Sequence, residues 1–308
     1  MLRLRAHAVV VAFGAVGVGL LFALKPTSAP VYAGSRTAAP SATPNAPAPA
    51  NPPAAASAKP NPEPPAPKQT SSGCPPEMAL VEHTCVDRWE ARLLQKKDDG
   101  SLEPHPPTAR PTGGVFVAES RAGVKPQGYV SQIEAASACE NAGKRLCSLT
   151  EWYHACRGDK NTLFPYGPAY VVGRCNVNKP HLLSILHGAD PREWKYDEGF
   201  NDPELDKRDG FLAETGAYGE CVSSAGIYDL VGNLHEWVAD RVDASMAHKI
   251  PLTAGIRAKL GVNQGKGVFM GGFFSTLNQH GEGCDFITMA HEPGYHDYST
   301  GFRCCKDP

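Results

Sequence analysis

The ten cysteines are the residues of this sequence best suited to chemistry, and their spacing indicates which chemistry. Structural zinc sites use pairs of cysteines about two to four residues apart, whereas the successive gaps here are 11, 54, 8, 9, 19, 46, 63, 20 and 1. An even set without such pairs is typical of a disulfide framework, so we expect all ten to form bridges in an oxidising compartment. The adjacent Cys304 and Cys305 would point in different directions in an extended chain, which favours two separate bridges.

A second candidate is a histidine-rich segment near the C-terminal end. It holds three histidines within 17 residues and four carboxylates, namely His280, His291, His296, Glu282, Asp285, Glu292 and Asp297. Imidazole and carboxylate groups bind iron or copper, so this segment is one hypothesis for an oxidoreductase centre. Against it, no two of these histidines are four residues apart, as a helical metal-binding pair would be, and histidines are common in loops.

Two short helices are predicted to position the central part of the chain. Ser131 with Glu134, and Ser148 with Glu151, form capping boxes ahead of helical stretches. The inward face of the second helix is formed by Trp152, Ala155 and Cys156. Elsewhere Gly, Pro, Asn and Asp interrupt the chain every few residues, leaving brief strand-like runs such as residues 266–274. The predicted fold class is α+β with much irregular coil, and disulfide-rich.

The N-terminal part predicts export and a tether. Two arginines precede an apolar run of 16 residues at 9–24, which is typical of a signal sequence. A helix of that length spans about 24 Å, short of the roughly 30 Å hydrocarbon core. The sequence therefore leaves open whether residues 1–33 are a cleaved signal peptide, with Ala33 before the cut, or an anchor that crosses the membrane through residues 8–24.

The proline content separates a linker from a folded domain. Thirteen of the 28 prolines lie between residues 26 and 67, in a stretch rich in Ala, Ser and Thr that cannot bury enough apolar surface to fold. We expect a disordered linker at 34–73 and one domain at 74–308. After residue 73 there are 24 Lys and Arg against 31 Asp and Glu, a balance that argues against nucleic-acid binding. Either outcome for the N-terminus makes the domain extracytoplasmic, in the periplasm, on the cell surface or secreted.

Four short segments carry a more specific indication. They are residues 86–90 (Val-Asp-Arg-Trp-Glu), 142–146 (Ala-Gly-Lys-Arg-Leu), 231–237 (Val-Gly-Asn-Leu-His-Glu-Trp) and 301–304 (Gly-Phe-Arg-Cys). In this order they resemble the formylglycine-generating enzyme family, also called the sulfatase-modifying factor family. The resemblance spans about 220 residues and implies a variant of the C-type lectin fold.

The resemblance implies two structural calcium sites. The first consists of the Asp229 and Glu236 side chains with the carbonyls of Gly232 and Leu234. The second consists of the Asn176 and Asp209 side chains with the carbonyls of Val177 and Phe211, and residues 197–200 are a rival to the Asp209 part. Calcium takes oxygen ligands of these types. Two alternatives stay open: Asp229 and Glu236 as capping or salt-bridging carboxylates on a surface turn, and His235 with Glu236 as an acid/base pair. Calcium binding by Glu236 would instead leave His235 on an outward-facing turn.

The resemblance also implies two disulfides, Cys139 with Cys304 and Cys156 with Cys284. For the other cysteines we favour Cys74 with Cys85 because they are close in sequence. We favour Cys175 with Cys221 because both flank the calcium segments, which leaves Cys147 for Cys305. An exchange between the two adjacent cysteines stays open.

The catalytic part of the resemblance fails at the copper ligands. Enzymatic members bind Cu(I) through two cysteines, and in this chain those positions are Thr276 and Gly281. No two cysteines of the chain have that spacing, and thiolates are the ligands that suit Cu(I). We therefore expect no formylglycine formation. The resemblance places Phe273 and Phe274 beside the former active site, where they fill or line a groove together with Thr276.

Two functional hypotheses follow from the sequence, and a third alternative, a purely structural component of the cell envelope, stays open beside them. The first is a calcium-stabilised, non-catalytic binding module that takes a peptide, protein or glycan in the groove. The second is an extracytoplasmic oxidoreductase of the same superfamily that uses iron or copper at another site.

Overall fold

A computed structural model describes residues 73–276 and 281–308. Within these residues the fold is α+β, with eleven short strands, five short α-helices and much coil, so the predicted fold class is confirmed. Three predictions fall outside the described residues: the signal or anchor segment at 1–33, the linker at 34–73 except for residue 73 itself, and His280.

The strands are β1 (Met78–Val81), β2 (Thr84–Asp87), β3 (Ala91–Lys96), β4 (Leu102–Pro104), β5 (Val115–Ser120), β6 (Arg145–Leu146), β7 (His235–Arg241), β8 (Gly267–Met270), β9 (Ile287–Thr288), β10 (Thr300–Phe302) and β11 (Cys304–Lys306). The α-helices are α1 (Gln132–Asn141), α2 (Leu149–Arg157), α3 (Leu182–Leu186), α4 (Met246–Lys249) and α5 (Ala254–Arg257). Two 3-10 turns (Pro191–Glu193, Gly283–Asp285) and a π turn (Tyr196–Phe200) complete the regular structure of the described residues.

The strands form three small sheets. One has the order β1-β2-β11-β6, the second β10-β7-β8-β9, and the third β4-β3-β5. Neighbouring strands are antiparallel except β10 and β7, which run parallel with Gly301 opposite Glu236. Because β10 and β11 belong to different sheets and are separated by Arg303 alone, the C-terminal segment joins two sheets at that residue.

Both predicted capping boxes are present. Ser131 accepts from the backbone N–H of Glu134 at the start of α1, and Ser148 accepts from that of Glu151 at the start of α2. In each box the glutamate accepts in turn from the backbone N–H of the serine, which satisfies two otherwise unpaired groups. The expected inward face of α2 is buried, with Trp152 fully so.

Five disulfides use all ten cysteines, and the pairs are those favoured in the sequence analysis. The bridges are Cys74–Cys85, Cys139–Cys304, Cys147–Cys305, Cys156–Cys284 and Cys175–Cys221. The two adjacent cysteines of β11 bond to different elements, one to α1 and the other to the residue that follows β6. Such a framework is consistent with an oxidising setting.

The described part of the chain has no helix that combines the length and the apolar character needed to cross a membrane.

Candidate functional site

Arg303 is the centre of a buried polar cluster that connects the two four-stranded sheets. It is fully buried, and its Nε and Nη2 donate to the two carboxylate oxygens of Glu236 at 2.6 Å each. Its remaining hydrogen bonds reach the carbonyls of Asp87 and Tyr228 at 2.9 and 2.8 Å. Glu236 also accepts from the indole N–H of Trp152 at 2.7 Å. This one ion pair therefore fixes β7 against α2 and against the junction of β10 and β11.

Two more carboxylates are buried beside this pair. Glu90 accepts from the side-chain amide of Asn233 at 2.5 Å and from the backbone N–H of Leu234 at 3.1 Å, while Asp229 accepts from the backbone N–H of Gly216 at 2.7 Å. Burial raises the pKa of Asp229 to about 7, and burial together with the neighbouring carboxylates raises the pKa of Glu90 well above its usual range. With three carboxyl groups near a single guanidinium, the cluster would have an excess of negative charge if all three were ionised, and the raised pKa values reflect this.

That excess fits a divalent cation at the first predicted calcium site. Asp229 and Gly232 both have left-handed backbone conformations, with φ of 61° and 84°. A β-carbon at Gly232 would lie 2.2 Å from the carbonyl oxygen of Asn176, so the turn packs directly on a neighbouring segment. The turn is buried rather than on the surface. The carboxylates of Asp229 and Glu236, with the carbonyls of Gly232 and Leu234, are the hard oxygen donors that calcium prefers.

Only part of the second predicted calcium site fits calcium. Asn176 is buried, and its Oδ1 has no hydrogen-bond partner among the described residues, as a metal ligand would allow. Its Nδ2 donates to the carbonyl of Phe211 at 2.8 Å, however, and Asp209 is exposed and Val177 half-buried. The ammonium of Lys179 also donates to the carbonyl of Phe211, at 3.1 Å. This carbonyl already accepts from an amide and from a cation, so it is not available as an ordinary calcium ligand.

An aromatic groove of about 560 Å³ is the larger of the two cavities near the positions of the family's copper ligands. Among its lining residues are His181, Trp194, Tyr196, Phe273, Tyr295 and Tyr298. His181 stacks on Trp194 with ring centroids 4.7 Å apart, and Tyr196 lies 5.3 Å from Tyr295. No Lys or Arg is among the described residues that line it, and the one lining carboxylate, Asp297, accepts from the hydroxyls of Tyr295 and Ser299. The groove therefore offers flat apolar faces with a few hydroxyls.

Two expectations about this groove were wrong. His235 does not lie on an outward turn, because it begins β7 with a buried side chain that lines the groove, 4.9 Å from the ring of Phe273 and 5.2 Å from that of Phe286. Phe274 does not line the groove, because it is fully buried in a hydrophobic cluster. Phe273 and Thr276 do line it.

The two positions of the family's copper ligands lie together. Thr276 and Gly281 both line a cavity of about 30 Å³, which shares Thr276 and Phe286 with the aromatic groove. The Thr276 hydroxyl accepts from the backbone N–H of Phe273 at 2.7 Å and so closes a turn. All ten cysteines are in disulfides, so none supplies a thiolate here.

The backbone at Gly281 excludes a side chain altogether. Its φ is 111°, and a β-carbon would lie 2.3 Å from the carbonyl oxygen of Asp285. Since real β-carbons do not approach a backbone oxygen so closely, a cysteine at this position would require the chain around Asp285 to move. The position has therefore lost both the thiol and the room for one.

We expect the Gly281→Ala variant to lose about 1–3 kcal/mol of the free energy of unfolding, because the methyl group meets the backbone and the left-handed conformation favours glycine. Urea unfolding followed by circular dichroism would measure the loss. Gly219→Ala is the control, because a β-carbon there has nothing within 4 Å. An equal, small effect of both substitutions would contradict the crowding at Gly281.

The histidine-rich segment does not gather into a metal centre among the described residues. His291 stacks on Tyr295 with ring centroids 3.9 Å apart, and His296 lies with Nδ1 2.8 Å from the Asn201 side chain. Asp285 pairs with Arg157 at 2.7 Å, and Glu292 pairs with a lysine. Over residues 73–276 and 281–308, no three or more His, Cys, Asp or Glu side chains are grouped as metal ligands.

A family model described as the sulfatase-modifying factor enzyme 1-like domain matches residues 82–308. The chain belongs to this family. The match includes β2 to β11, the buried Arg303–Glu236 pair and the residues of the groove, so the fold is that of a sulfatase-modifying factor domain.

Relatives of this sulfatase-modifying factor domain include named enzymes and a named inactive form. The chain is 31% identical to mouse formylglycine-generating enzyme over 113 residues, which is 36% of this chain and 26% of that protein. It is 30% identical to bovine inactive C-alpha-formylglycine-generating enzyme 2 over 118 residues, which is 38% of this chain and 33% of that protein. The matches thus span about a quarter to a third of these relatives. Among solved structures, PvdO from Pseudomonas aeruginosa aligns over 73% of this chain and 80% of its own, with 14% identity and a TM-score of 0.38.

Proposed function

We propose that this chain is an extracytoplasmic, non-catalytic sulfatase-modifying factor domain that binds a peptide, protein or glycan in its aromatic groove. The observation that carries the proposal is the pair of copper positions. Thr276 has a hydroxyl that is already used within a turn, and Gly281 has no room for any side chain. Formylglycine formation requires two thiolates that hold Cu(I), and the local backbone opposes their return.

The groove itself supports recognition of a ligand. A cavity of about 560 Å³ is in the range of small-ligand sites, which are mostly apolar with a few placed polar groups. Stacked rings such as His181 and Trp194 present faces to which sugar rings or apolar side chains bind. A nucleic acid is not expected, because no Lys or Arg is among the described residues that line the groove.

Calcium and the site of action belong to the same proposal. One calcium ion at the site of Asp229 and Glu236 would offset the excess negative charge of the buried cluster. The five disulfides support an oxidising location. With the apolar segment at the N-terminus, we propose a domain that is either secreted or tethered to the membrane by its linker. The relatives include both a named enzyme and a named inactive form at similar identity, so the local site decides between them.

We expect no conversion of a cysteine-containing sulfatase peptide to its aldehyde when the protein is incubated with the peptide, copper and a thiol reductant. Mass spectrometry of the peptide is the measurement, and mouse formylglycine-generating enzyme is the positive control. Ligand binding has its own reporter, because Trp194 lines the groove whereas the other three tryptophans are buried. Chitotriose, maltotriose and short peptides without tryptophan are the probes, and at least one should change the tryptophan fluorescence saturably.

The Trp194→Phe variant is the matched control, since it keeps an aromatic face in the groove and removes the reporter. A fluorescence change that survives this substitution would place binding elsewhere. Aldehyde formation would make the protein an enzyme, and failure of every probe class, checked by calorimetry, would argue against the groove as a binding site.

A further inference from the structure

Three consecutive backbone carbonyls, those of residues 210–212, face two lysine side chains. The Lys179 ammonium donates to the carbonyls of Gly210 and Phe211, with a distance of 3.1 Å to the latter. The Lys125 ammonium donates to the carbonyl of Leu212. The carbonyl of Phe211 is one of the expected calcium ligands. A lysine ammonium therefore lies at the segment where the family resemblance places a metal ion.

Lys179 is held in place from several directions. Its backbone N–H donates to the carbonyl of Phe274 at 2.9 Å, and its ammonium lies 5.7 Å from the ring centroid of Tyr218. The side chain is half-buried, with no carboxylate among its hydrogen-bond partners. Carbonyl oxygens and an aromatic face are therefore what satisfies this ammonium.

The hydrogen-bond network also fixes which end of the Asn176 side chain faces the carbonyls. The backbone N–H of Ala213 donates to Oδ1 of Asn233 at 2.9 Å, and the amide nitrogen of Asn233 donates to Glu90. Oδ1 of Asn233 must therefore be the acceptor for Asn176, at 2.8 Å. This leaves the Nδ2 group of Asn176, a donor, toward the carbonyl of Phe211, because a flipped amide would set oxygen against oxygen.

We propose that Lys179 is a built-in replacement for the second calcium ion of this fold. Its ammonium, helped by Lys125, binds the carbonyls of residues 210–212 and holds that segment without a metal. Calcium needs six to eight oxygens about 2.3–2.6 Å away. Here the Phe211 carbonyl already accepts from the Asn176 amide and from Lys179. A calcium ion beside the ammonium groups of Lys179 and Lys125 would also be repelled by their charge.

The test combines calcium stoichiometry with local stability. Isothermal titration calorimetry of the metal-free wild-type protein with calcium is expected to give at most one equivalent. Hydrogen exchange of the Ala213 amide, which donates to Oδ1 of Asn233 beside the three carbonyls, is expected to be the same in calcium and in EGTA. The Lys179→Met variant keeps the length of the side chain and removes the charge-assisted hydrogen bonds, so this amide should exchange about tenfold faster or more, in both buffers.

Two controls make the result specific. Lys179→Arg keeps the cation and should restore slow exchange, and Lys207→Met removes an exposed lysine that pairs with Glu204 and should leave exchange unchanged. Should Lys179→Met fail to fold, the wild-type titration still decides. A second equivalent of calcium, or any calcium that protects the Ala213 amide, overturns the proposal, as does a Lys179→Met variant with wild-type exchange. Zero equivalents would refute calcium at Asp229 and leave the role of Lys179 intact.

Discussion

The Arg303→Met variant is expected to lose about 3–5 kcal/mol of the free energy of unfolding, because removing one partner of a buried ion pair leaves the other charge without compensation. Arg303 is fully buried, and two of its nitrogens bind Glu236 at 2.6 Å. Two backbone carbonyls, of Asp87 and Tyr228, lose a donor as well. Methionine fills most of the volume, so the loss reports on charge and hydrogen bonds rather than on a cavity. Urea unfolding monitored by circular dichroism is the measurement.

Arg192→Met is the matched control, since it makes the same change in an ion pair at the surface. Arg192 has 89% of its side chain exposed and pairs with Asp190 at 2.5 Å, and such exposed pairs contribute little to stability because water and salt screen them. The Arg303→Met, Glu236→Gln double variant separates the contribution of the ion pair from the cost of leaving one charge buried without its partner. It removes both charges, so it should be less destabilised than the sum of the two single variants. A loss below 1 kcal/mol for Arg303→Met would show that the pair does not hold the sheets together.

The importance of Arg303 was not visible in the sequence, although the residue lies in one of the four motifs. Arg303 and Glu236 come from motifs 67 positions apart, and the sequence contains no information that pairs a particular arginine with a particular carboxylate. Glu90 was missed for the same reason, since its partners Asn233 and Leu234 are 143 and 144 positions away. Buried charges are recognised only when the fold shows that they are buried.

Local rules succeeded where the determinants are local. Ser131 and Glu134 are three residues apart, so a capping box could be predicted from spacing alone, and so could the one at Ser148. The prediction for His235 was wrong because it extended the calcium-binding turn to Glu236. In the structure both residues belong to β7, whose alternation sets their side chains on opposite faces. Lys179 was missed because an isolated lysine gives no sequence signal that distinguishes a structural cation from a solvated one.

The two disulfides of β11 are expected to act as a pair, and this predicts a loss of stability that is larger for both bridges together than the sum of the two single losses. Cys139–Cys304 and Cys147–Cys305 close loops of 165 and 158 residues that are almost the same loop. Either bridge can be removed by Cys→Ala substitution of both its cysteines. Because the other bridge still closes the long loop, this frees only the short segment between the two bridges, and the loop model gives a loss of about 3 kcal/mol in the free energy of unfolding. Removing the second bridge then opens the outer loop, which the intact Cys156–Cys284 bridge shortens to about 40 residues, and this adds about 4 kcal/mol. The sum, about 7 kcal/mol, is comparable to the whole stability of a typical domain.

The variant without both bridges should therefore be largely unfolded, while either variant that keeps one should remain folded with a lowered urea midpoint. The bridge Cys74–Cys85 is the control, because it closes a separate loop of 11 residues, so its removal should add independently to that of Cys139–Cys304. Additive losses for the two bridges of β11 would mean that the bridges act through contacts in the folded state. If they act by restricting the same loop of the unfolded chain, either bridge alone keeps most of the restriction, and the losses cannot be additive.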